Sequence, residues 1–308
     1  MKEYERIISE GILPASFFKE EVLCDFLVDT PRKKLWAISL DLLYKFDEVC
    51  RIHQLRYVLA YGSLLGVIRH SGFIPWDDDI DVFMPREDYE ILKTLGNEFN
   101  TPYYLQIPGD DGYCYSFIRL RNSNTTGLSY AFRYEHFNQG IPLDVFVLDN
   151  YNPETIDEDL AKVQSLIREC STLMRRSCPH PDEKDLQYLA QFPVRRECAE
   201  LASELDTVLK RNESFNSDKC VCLCNVVYGL SHAIFDKAIY QNRKEIDLYG
   251  HPVFIPADFD SVLTTIYGDY MTPPPVEKRG AWHQGATYDP DKPYTVYVND
   301  LWAKENNR

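Results

Sequence analysis

One stretch of the chain, Tyr61–Arg86, constrains the fold more than any other. It reads YGSLLGVIRHSGFIPWDDDIDVFMPR and places four aspartates within five positions, between two apolar segments. Adjacent carboxylates repel one another, so a folded chain must hold these groups with a cation or with hydrogen-bond donors. The stretch therefore indicates an ordered acidic site, and the four side chains concerned are Asp77, Asp78, Asp79 and Asp81.

Composition limits the classes of protein to which the chain can belong. The 308 residues, 44% apolar and 26% charged, are ordinary for a globular protein of one large or two smaller domains. A net charge of −15 argues against a nucleic-acid or an anionic-membrane surface as partner, because both require a positive footprint. A local basic pocket for a phosphate group remains compatible with this charge.

The sequence also predicts where the protein works. No run approaches the roughly 18 apolar residues of a membrane span, and the beginning of the chain, MKEYERIISEGILP, lacks the apolar core of a signal peptide. The nine cysteines are odd in number and follow no disulfide spacing. We therefore expect a cytoplasmic protein without a membrane span, for which peripheral association with a membrane remains possible.

Apolar periodicity predicts a mixed α/β (α+β) fold. Thr30 as N-cap and Pro31 begin an amphipathic helix over residues 32–54. Strands are expected at 57–61, 80–84, 103–107, 115–120 and 141–148, and helices at 64–70, 85–99, 154–176 and 182–211, with a further helix in the segment DFDSVLTTIYGDYM that ends near Gly268. Residues 220–227 suit either a strand or a buried helix. The expected organisation is a core over 1–150 and a mainly helical part over 151–308 that returns to the site, or one continuous domain.

The aspartate run has the pattern of a metal site. Asp79 and Asp81 lie two apart on a strand, so both carboxylates leave one face of the sheet. Two convergent carboxylates are the usual protein contribution to a Mg²⁺ site. Asp144 lies inside the apolar run LDVFV, where a charge needs a partner, and is therefore the best candidate for a third carboxylate.

The Gly-Ser step before the predicted helix 64–70 suits an anion. Gly62 lets the backbone approach a ligand closely, and Ser63 with the first N–H groups of the helix offers donors to a di- or triphosphate. A calcium-binding EF-hand loop is a poor match to the acidic run that follows, because Val82 replaces the required glycine and Asp88 the final glutamate. A solvated acidic turn is the simpler alternative to a metal site, although large apolar residues flank the run closely.

The stretch resembles the signature of the LicD family, which includes bacterial phosphocholine transferases and is related to fukutin-type ribitol-phosphate transferases. The resemblance spans roughly residues 34–283 and rests on the ordered blocks YGSLLGVIRHSGFIPWDDDIDVFMPREDYEIL, PLDVFVLD and IYGDYMTPPPVEKR. It implies a nucleotidyltransferase-like mixed sheet flanked by helices. It also implies Mg²⁺- or Mn²⁺-dependent transfer of a phospho-alcohol from a CDP-activated donor to a hydroxyl of a cell-surface glycan or glycolipid precursor. Phosphocholine is the leading candidate for the transferred group.

The resemblance also implies residue roles. Asp79, Asp81 and Asp144 would bind metal and carry catalysis, with Asp144 the most plausible general base. Asp77 and Asp78 are expected to bond the loop. The residues expected to contact the donor are Gly62, Ser63, Arg69, His70, Arg119, Arg121, Lys278, Arg279 and His283.

Several alternatives remain open from the sequence. Arg119 and Arg121 suit either a phosphate clamp or ion pairs with acidic groups, and Lys278, Arg279 and His283 suit either donor binding or a solvated turn. The CVCLC run favours buried free thiols over a zinc site. As for function, a nucleotidyltransferase that adds NMP to a small acceptor, or a non-catalytic nucleotide-binding scaffold, would share these features.

Overall fold

The computed structural model describes residues 1–192, 194, 196–280 and 286–306. Over these ranges the strands are Glu21–Leu23 (β1), Phe26–Val28 (β2), Val58–Leu59 (β3), Asp81–Pro85 (β4), Tyr103–Gln106 (β5), Ile118–Asn122 (β6), Thr126–Leu128 (β7), Ile141–Asn150 (β8), Lys219–Val221 (β9), Ile234–Asp236 (β10), Arg243–Leu248 (β11), His251–Pro256 (β12) and Thr287–Asp289 (β13). The α-helices over the same ranges are Glu3–Ser9 (α1), Thr30–Ile52 (α2), Tyr61–His70 (α3), Arg86–Lys93 (α4), Ile156–Arg175 (α5), Glu183–Gln191 (α6), Cys198–Leu209 (α7), Ala238–Gln241 (α8), Phe259–Tyr267 (α9) and Tyr294–Asn306 (α10).

A mixed sheet forms the core, and its long central strand is β8. Strand β4 pairs with β8 in parallel, and β3 continues the sheet beyond β4. On the other edge of β8, β6 pairs along the first half and β9 along the last two residues, both antiparallel. Strands β5 and β10 complete the sheet of seven among the described residues. The predicted mixed α/β class is confirmed.

Helix α2 covers this sheet and begins one residue earlier than predicted. The Asp29 side chain, rather than Thr30, caps the helix, because its carboxylate accepts a hydrogen bond from the Arg32 backbone N–H at 3.0 Å. A carboxylate suits this position, since it also interacts favourably with the positive end of the helix dipole. The helix packs on β8, with Trp36 fully buried.

The Gly-Ser step lies inside helix α3 rather than before it. The helix begins at Tyr61, three residues earlier than predicted, so Gly62 and Ser63 form its first turn. The predicted stop at Ser71-Gly72 is confirmed in place, although Ser71, and not the glycine, adopts the left-handed conformation with φ of 55°. Helix α3 packs against β4, which brings its first turn next to the aspartate run.

The second half of the chain is partly helical and rejoins the sheet. The predicted helix over 182–211 is two helices, α6 and α7, because a continuous helix would need a backbone N–H donor at position 193, where the sequence has proline. The start of the CVCLC run is a strand, β9, which pairs with β8. The division of the chain near residue 150 stays a prediction. None of the helices in the described ranges is long and apolar enough to span a membrane.

Candidate active site

A row of charged side chains crosses three neighbouring strands at the centre of the sheet. Asp81 on β4 is in register with Asp144 on β8, and Asp144 is in register with Arg119 on β6. Residues in register on adjacent strands project from the same face of a sheet. The Arg119 guanidinium donates to both carboxylate oxygens of Asp144, at 2.8 and 3.1 Å. Of the two roles open to Arg119 from the sequence, the structure therefore contains the ion pair.

Asp81 is held close to other carboxylates. Burial raises the pKa of its carboxyl well above the ordinary value, and repulsion from Asp79, Asp144 and Asp77 raises it further. The backbone N–H of Asp81 donates to the Ser63 hydroxyl oxygen at 2.8 Å, which ties β4 to the first turn of α3. The buried charge and the all-oxygen donor set both fit a hard divalent cation.

The aspartates that precede Asp81 converge in the loop before β4. Carboxylate oxygens of Asp77, Asp78 and Asp79 all lie within 4.8 Å of one another, closer than the predicted trio that includes Asp144. Arg32 and the Trp36 indole N–H both donate to the Asp77 carbonyl oxygen, at 2.8 and 3.0 Å. Helix α2 therefore positions the loop, a contribution that no pattern in the sequence indicated.

A first cleft of about 430 Å³ opens beside these carboxylates. Gly62 lines it, and an added Cβ at this glycine would lie 2.5 Å from the Asp77 carboxylate oxygen Oδ2. Arg69 and Lys278 also line the cleft. Arg69 donates to the Tyr270 carbonyl oxygen at 2.7 Å, and burial lowers the pKa of its guanidinium. A partly buried guanidinium and an exposed ammonium group, both lining the same cleft as the start of α3, form a suitable place for an anion.

Other residues predicted to contact the donor lie away from this cleft. The His70 ring lies beside Arg69 and edge-on to Trp76. Burial and the two neighbouring guanidinium groups lower the pKa of His70 to about 4, so the ring is neutral at pH 7. The Arg279 side chain bonds the carbonyl oxygens of Pro274 and Cys24. His283 lies outside the described residues.

A second cleft of about 520 Å³ opens on the other side of the charged row. Arg119, Arg121 and Asp144 line it, and Asp79 lines both clefts. The two predicted arginines therefore belong to the second cleft, whereas Arg69 and Lys278 belong to the first. The aspartate run lies between two separate spaces, each large enough for a small molecule.

The second half of the chain supplies walls of the first cleft that the sequence did not predict. Tyr228, Tyr267 and Asp269 line it, and Tyr267 is brought there because α9 packs against α3. An aromatic side chain at the end of an amphipathic helix is usually buried in the core, so the helical pattern alone does not indicate a place for Tyr267 in a cleft. The sequence did offer one indication that Tyr267 lines a cleft, because the residue belongs to the block IYGDYM on which the family resemblance partly rests. The adjacent thiols of Cys222 and Cys224 are buried and free, as expected.

The fold and this site define an α+β protein with carboxylates arranged for a cation and a helix start arranged for an anion. Residues 54–162 match the family model described as LicD/FKTN/FKRP, nucleotidyltransferase domain. The matched segment includes the whole aspartate run, the first turn of α3 and Asp144.

Two relatives resemble parts of the chain. The lipopolysaccharide cholinephosphotransferase LicD of Haemophilus influenzae is 49% identical over 74 residues, which cover 24% of this chain and 28% of that protein. An uncharacterized protein of Rickettsia prowazekii is 31% identical over 117 residues, 37% of this chain and 41% of that protein. The chain thus spans well under half the length of either relative.

Proposed function

We propose that the protein is a transferase that moves a phospho-alcohol, phosphocholine first among the candidates, from a CDP-activated donor to a hydroxyl of a cell-surface glycan or glycolipid precursor. The observation that carries this proposal is the pair of carboxylates, Asp81 and Asp144, in register on adjacent strands beside an anion-binding helix start. The family of residues 54–162 and the name of the Haemophilus relative support it. In this proposal the enzyme acts in the cytoplasm, at the surface of the membrane that carries its acceptor.

In this proposal the donor diphosphate occupies the first cleft. The N–H groups in the first turn of α3 face an anion there, and Arg69 and Lys278 add positive charge. Gly62 leaves room for the Asp77 carboxylate at the mouth of that turn. The Ser63 hydroxyl oxygen accepts a hydrogen bond from the Asp81 backbone N–H and so fixes the strand that carries the carboxylates, while its own O–H stays available to donate to the diphosphate.

Asp79 and Asp81 would hold a Mg²⁺ or Mn²⁺ ion in this proposal. The ion, when bound, would neutralise negative charge on the diphosphate. Asp144 would accept the proton of the acceptor hydroxyl. A carboxylate has about four lone-pair positions, and Arg119 uses two of those on Asp144, so capacity remains to accept that proton. Arg119 fixes the direction of the Asp144 carboxylate during the transfer.

A panel of donors tests the proposed function. The full chain is incubated with CDP-choline, CDP-ethanolamine, CDP-glycerol or CDP-ribitol and with Mg²⁺ or Mn²⁺, and CMP release and thermal unfolding are measured. We expect one CDP-alcohol to raise the unfolding temperature in the presence of metal and, with water as the acceptor because no glycan is added, to yield CMP and the free phospho-alcohol. Pyrophosphate released from a nucleoside triphosphate would instead establish nucleotidyl transfer, and failure to bind any nucleotide with metal would indicate a scaffold.

Substitution of Gly62 by alanine tests the mouth of the first cleft. The new Cβ would lie 2.5 Å from the Asp77 carboxylate oxygen Oδ2, so the Asp77 side chain, which lines the same cleft, must leave its position. We expect donor turnover to fall about tenfold or more, with a small change in unfolding temperature. Gly96→Ala is the matched control, because a Cβ there meets nothing within 4 Å. Equal turnover in the two variants would remove this role from Gly62.

A further inference from the structure

The second cleft carries positive charge that its own carboxylates do not neutralise. Its charged lining residues are Asp79, Arg119, Arg121, Asp144, Arg175, Lys184 and Asp185. Arg119 is paired with Asp144, and Arg175 with Asp185 at 2.8 Å. Asp79 lies at the border with the first cleft. The four cations exceed the three carboxylates by one, and Arg121 and Lys184 are the two cations that form no ion pair with a carboxylate of the described residues, in a protein whose overall charge is −15.

Arg121 is a buried guanidinium without a carboxylate partner among the described residues. Its side chain donates to the Gln106 amide oxygen at 2.5 Å and to the Gly140 carbonyl oxygen at 2.8 Å, and both acceptors are neutral. It is 2% exposed. Burial and repulsion from Arg119 lower the pKa of Arg121 to about 10. Because a buried charge is costly unless it is paired, an anion placed in this cleft would be strongly stabilised.

Two further groups add to this positive lining. The Nε atom of Arg175 is buried and has no hydrogen-bond partner among the described residues. A buried donor of this kind costs free energy until an acceptor reaches it. Lys184 is exposed on α6, and no carboxylate of the described ranges lies within ion-pairing distance of its ammonium group.

The rest of the lining suits a sugar. Aromatic rings cover much of the cleft wall and offer flat apolar faces of the kind on which sugar rings pack; they belong to Tyr115, Tyr130, Phe132, Tyr188 and Tyr288. Asp144, the proposed base, lines this cleft and not the first. With the donor diphosphate in the first cleft, an attacking hydroxyl that approaches in line comes from the second.

We propose that the second cleft is the acceptor site, and that the acceptor is a saccharide bearing an anionic group, a phosphate or a carboxylate, bound by Arg121, Lys184 and Arg175. The acceptor role rests on the proposed function, whereas the affinity for an anionic sugar does not. The sugar ring lies against the aromatic wall, and its anionic group pairs with these cations.

Binding of simple sugars to the full chain tests this proposal. Glucose 6-phosphate, glucuronate and glucose are titrated by calorimetry or by ligand-observed NMR, without a donor. We expect at least one anionic sugar to bind about tenfold or more tightly than glucose, because only it pairs with the unmatched cations. Whichever of the two anionic sugars binds more tightly shows whether the anionic group of the acceptor is a phosphate or a carboxylate. Equal affinity for all three sugars would overturn the proposal.

Lys184→Gln locates the binding. This exposed substitution does not threaten the core, and we expect it to weaken the anionic sugar about threefold to tenfold while the affinity for the CDP-alcohol stays unchanged. Lys219→Gln is the matched control, since Lys219 is exposed on β9 and lines neither cleft. Arg121→Met should have a larger effect if it folds. An unchanged sugar affinity in Lys184→Gln would overturn the assignment, whereas sugar binding without any turnover of CDP-alcohols would overturn the proposed function alone.

Discussion

Asp81→Asn is expected to lower the rate of transfer by about 10³-fold or more, because a neutral amide cannot replace a carboxylate that holds the divalent cation. The same substitution is expected to raise the unfolding temperature measured without metal. Burial and three nearby aspartates raise the pKa of Asp81 in the folded state. At pH 7, where the unfolded chain holds this carboxyl ionised, its burial among other carboxylates therefore destabilises the metal-free fold, and this cost falls as the pH drops through the raised pKa.

The two effects are measured on one preparation. CMP release reports the transfer, and thermal unfolding is recorded with and without Mn²⁺. The wild-type protein should gain stability with Mn²⁺, whereas the variant should start higher and gain little. Asp110→Asn, an exposed aspartate in the β5–β6 turn, is the control and should behave as the wild type does. A variant that retains full activity would show that the cation, if any, is held elsewhere.

Arg119→Met is expected to destabilise the protein by about 3–5 kcal/mol, because it leaves the Asp144 carboxylate buried and unpaired. Asp144 is 8% exposed, and both of its oxygens accept hydrogen bonds from Arg119. The loss also leaves Asp144 close to Asp81 without the cation that offsets their repulsion. Denaturant unfolding of the wild type and the variant measures the difference in their free energies of unfolding, provided that the m-value is the same for both.

The double variant Arg119→Met with Asp144→Asn separates two contributions to stability, that of the Arg119–Asp144 ion pair and that of the packing of the Arg119 side chain. The Arg119 guanidinium also lies 5.2 Å from the centre of the Phe117 ring, so part of its contribution is apolar contact. We expect the double variant to be more stable than Arg119→Met alone, since the unpaired charge is gone. Additive effects of the two single substitutions would show that the ion pair contributes nothing of its own.

The sequence predicted those parts of the fold and site that local patterns determine. The strand that carries Asp81 and the strand that carries Asp144 follow from short apolar runs. The need of a buried charge for a partner also follows from the sequence, and at Asp144 the structure meets it with Arg119. The start of α3 was misplaced because glycine and serine usually interrupt helices. The hydrogen bond from the Asp81 backbone to Ser63, a tertiary contact, accompanies the earlier start.

Contacts between distant segments could not be read from the sequence. Arg32 and Trp36 lie in a helix whose spacing predicts burial, but nothing in that spacing predicts that both donate to the Asp77 carbonyl oxygen. Arg119 and Arg121 alternate on one strand and looked equivalent. The structure separates them, because Asp144 lies across from Arg119, whereas Pro142, which has no charge, lies across from Arg121.

The two clefts share Asp79 as a common wall, and under the proposed function this bears on the order of events during turnover. Separate spaces allow both substrates to be bound at once, so neither has to leave before the other enters. A ternary complex of this kind makes a covalent phospho-enzyme unnecessary, since the phosphoryl group can pass directly across the carboxylates. When the donor is bound and the second cleft is empty, water can take the place of the acceptor and hydrolyse the donor. An acceptor bound in the second cleft therefore protects the donor from hydrolysis and also reacts with it.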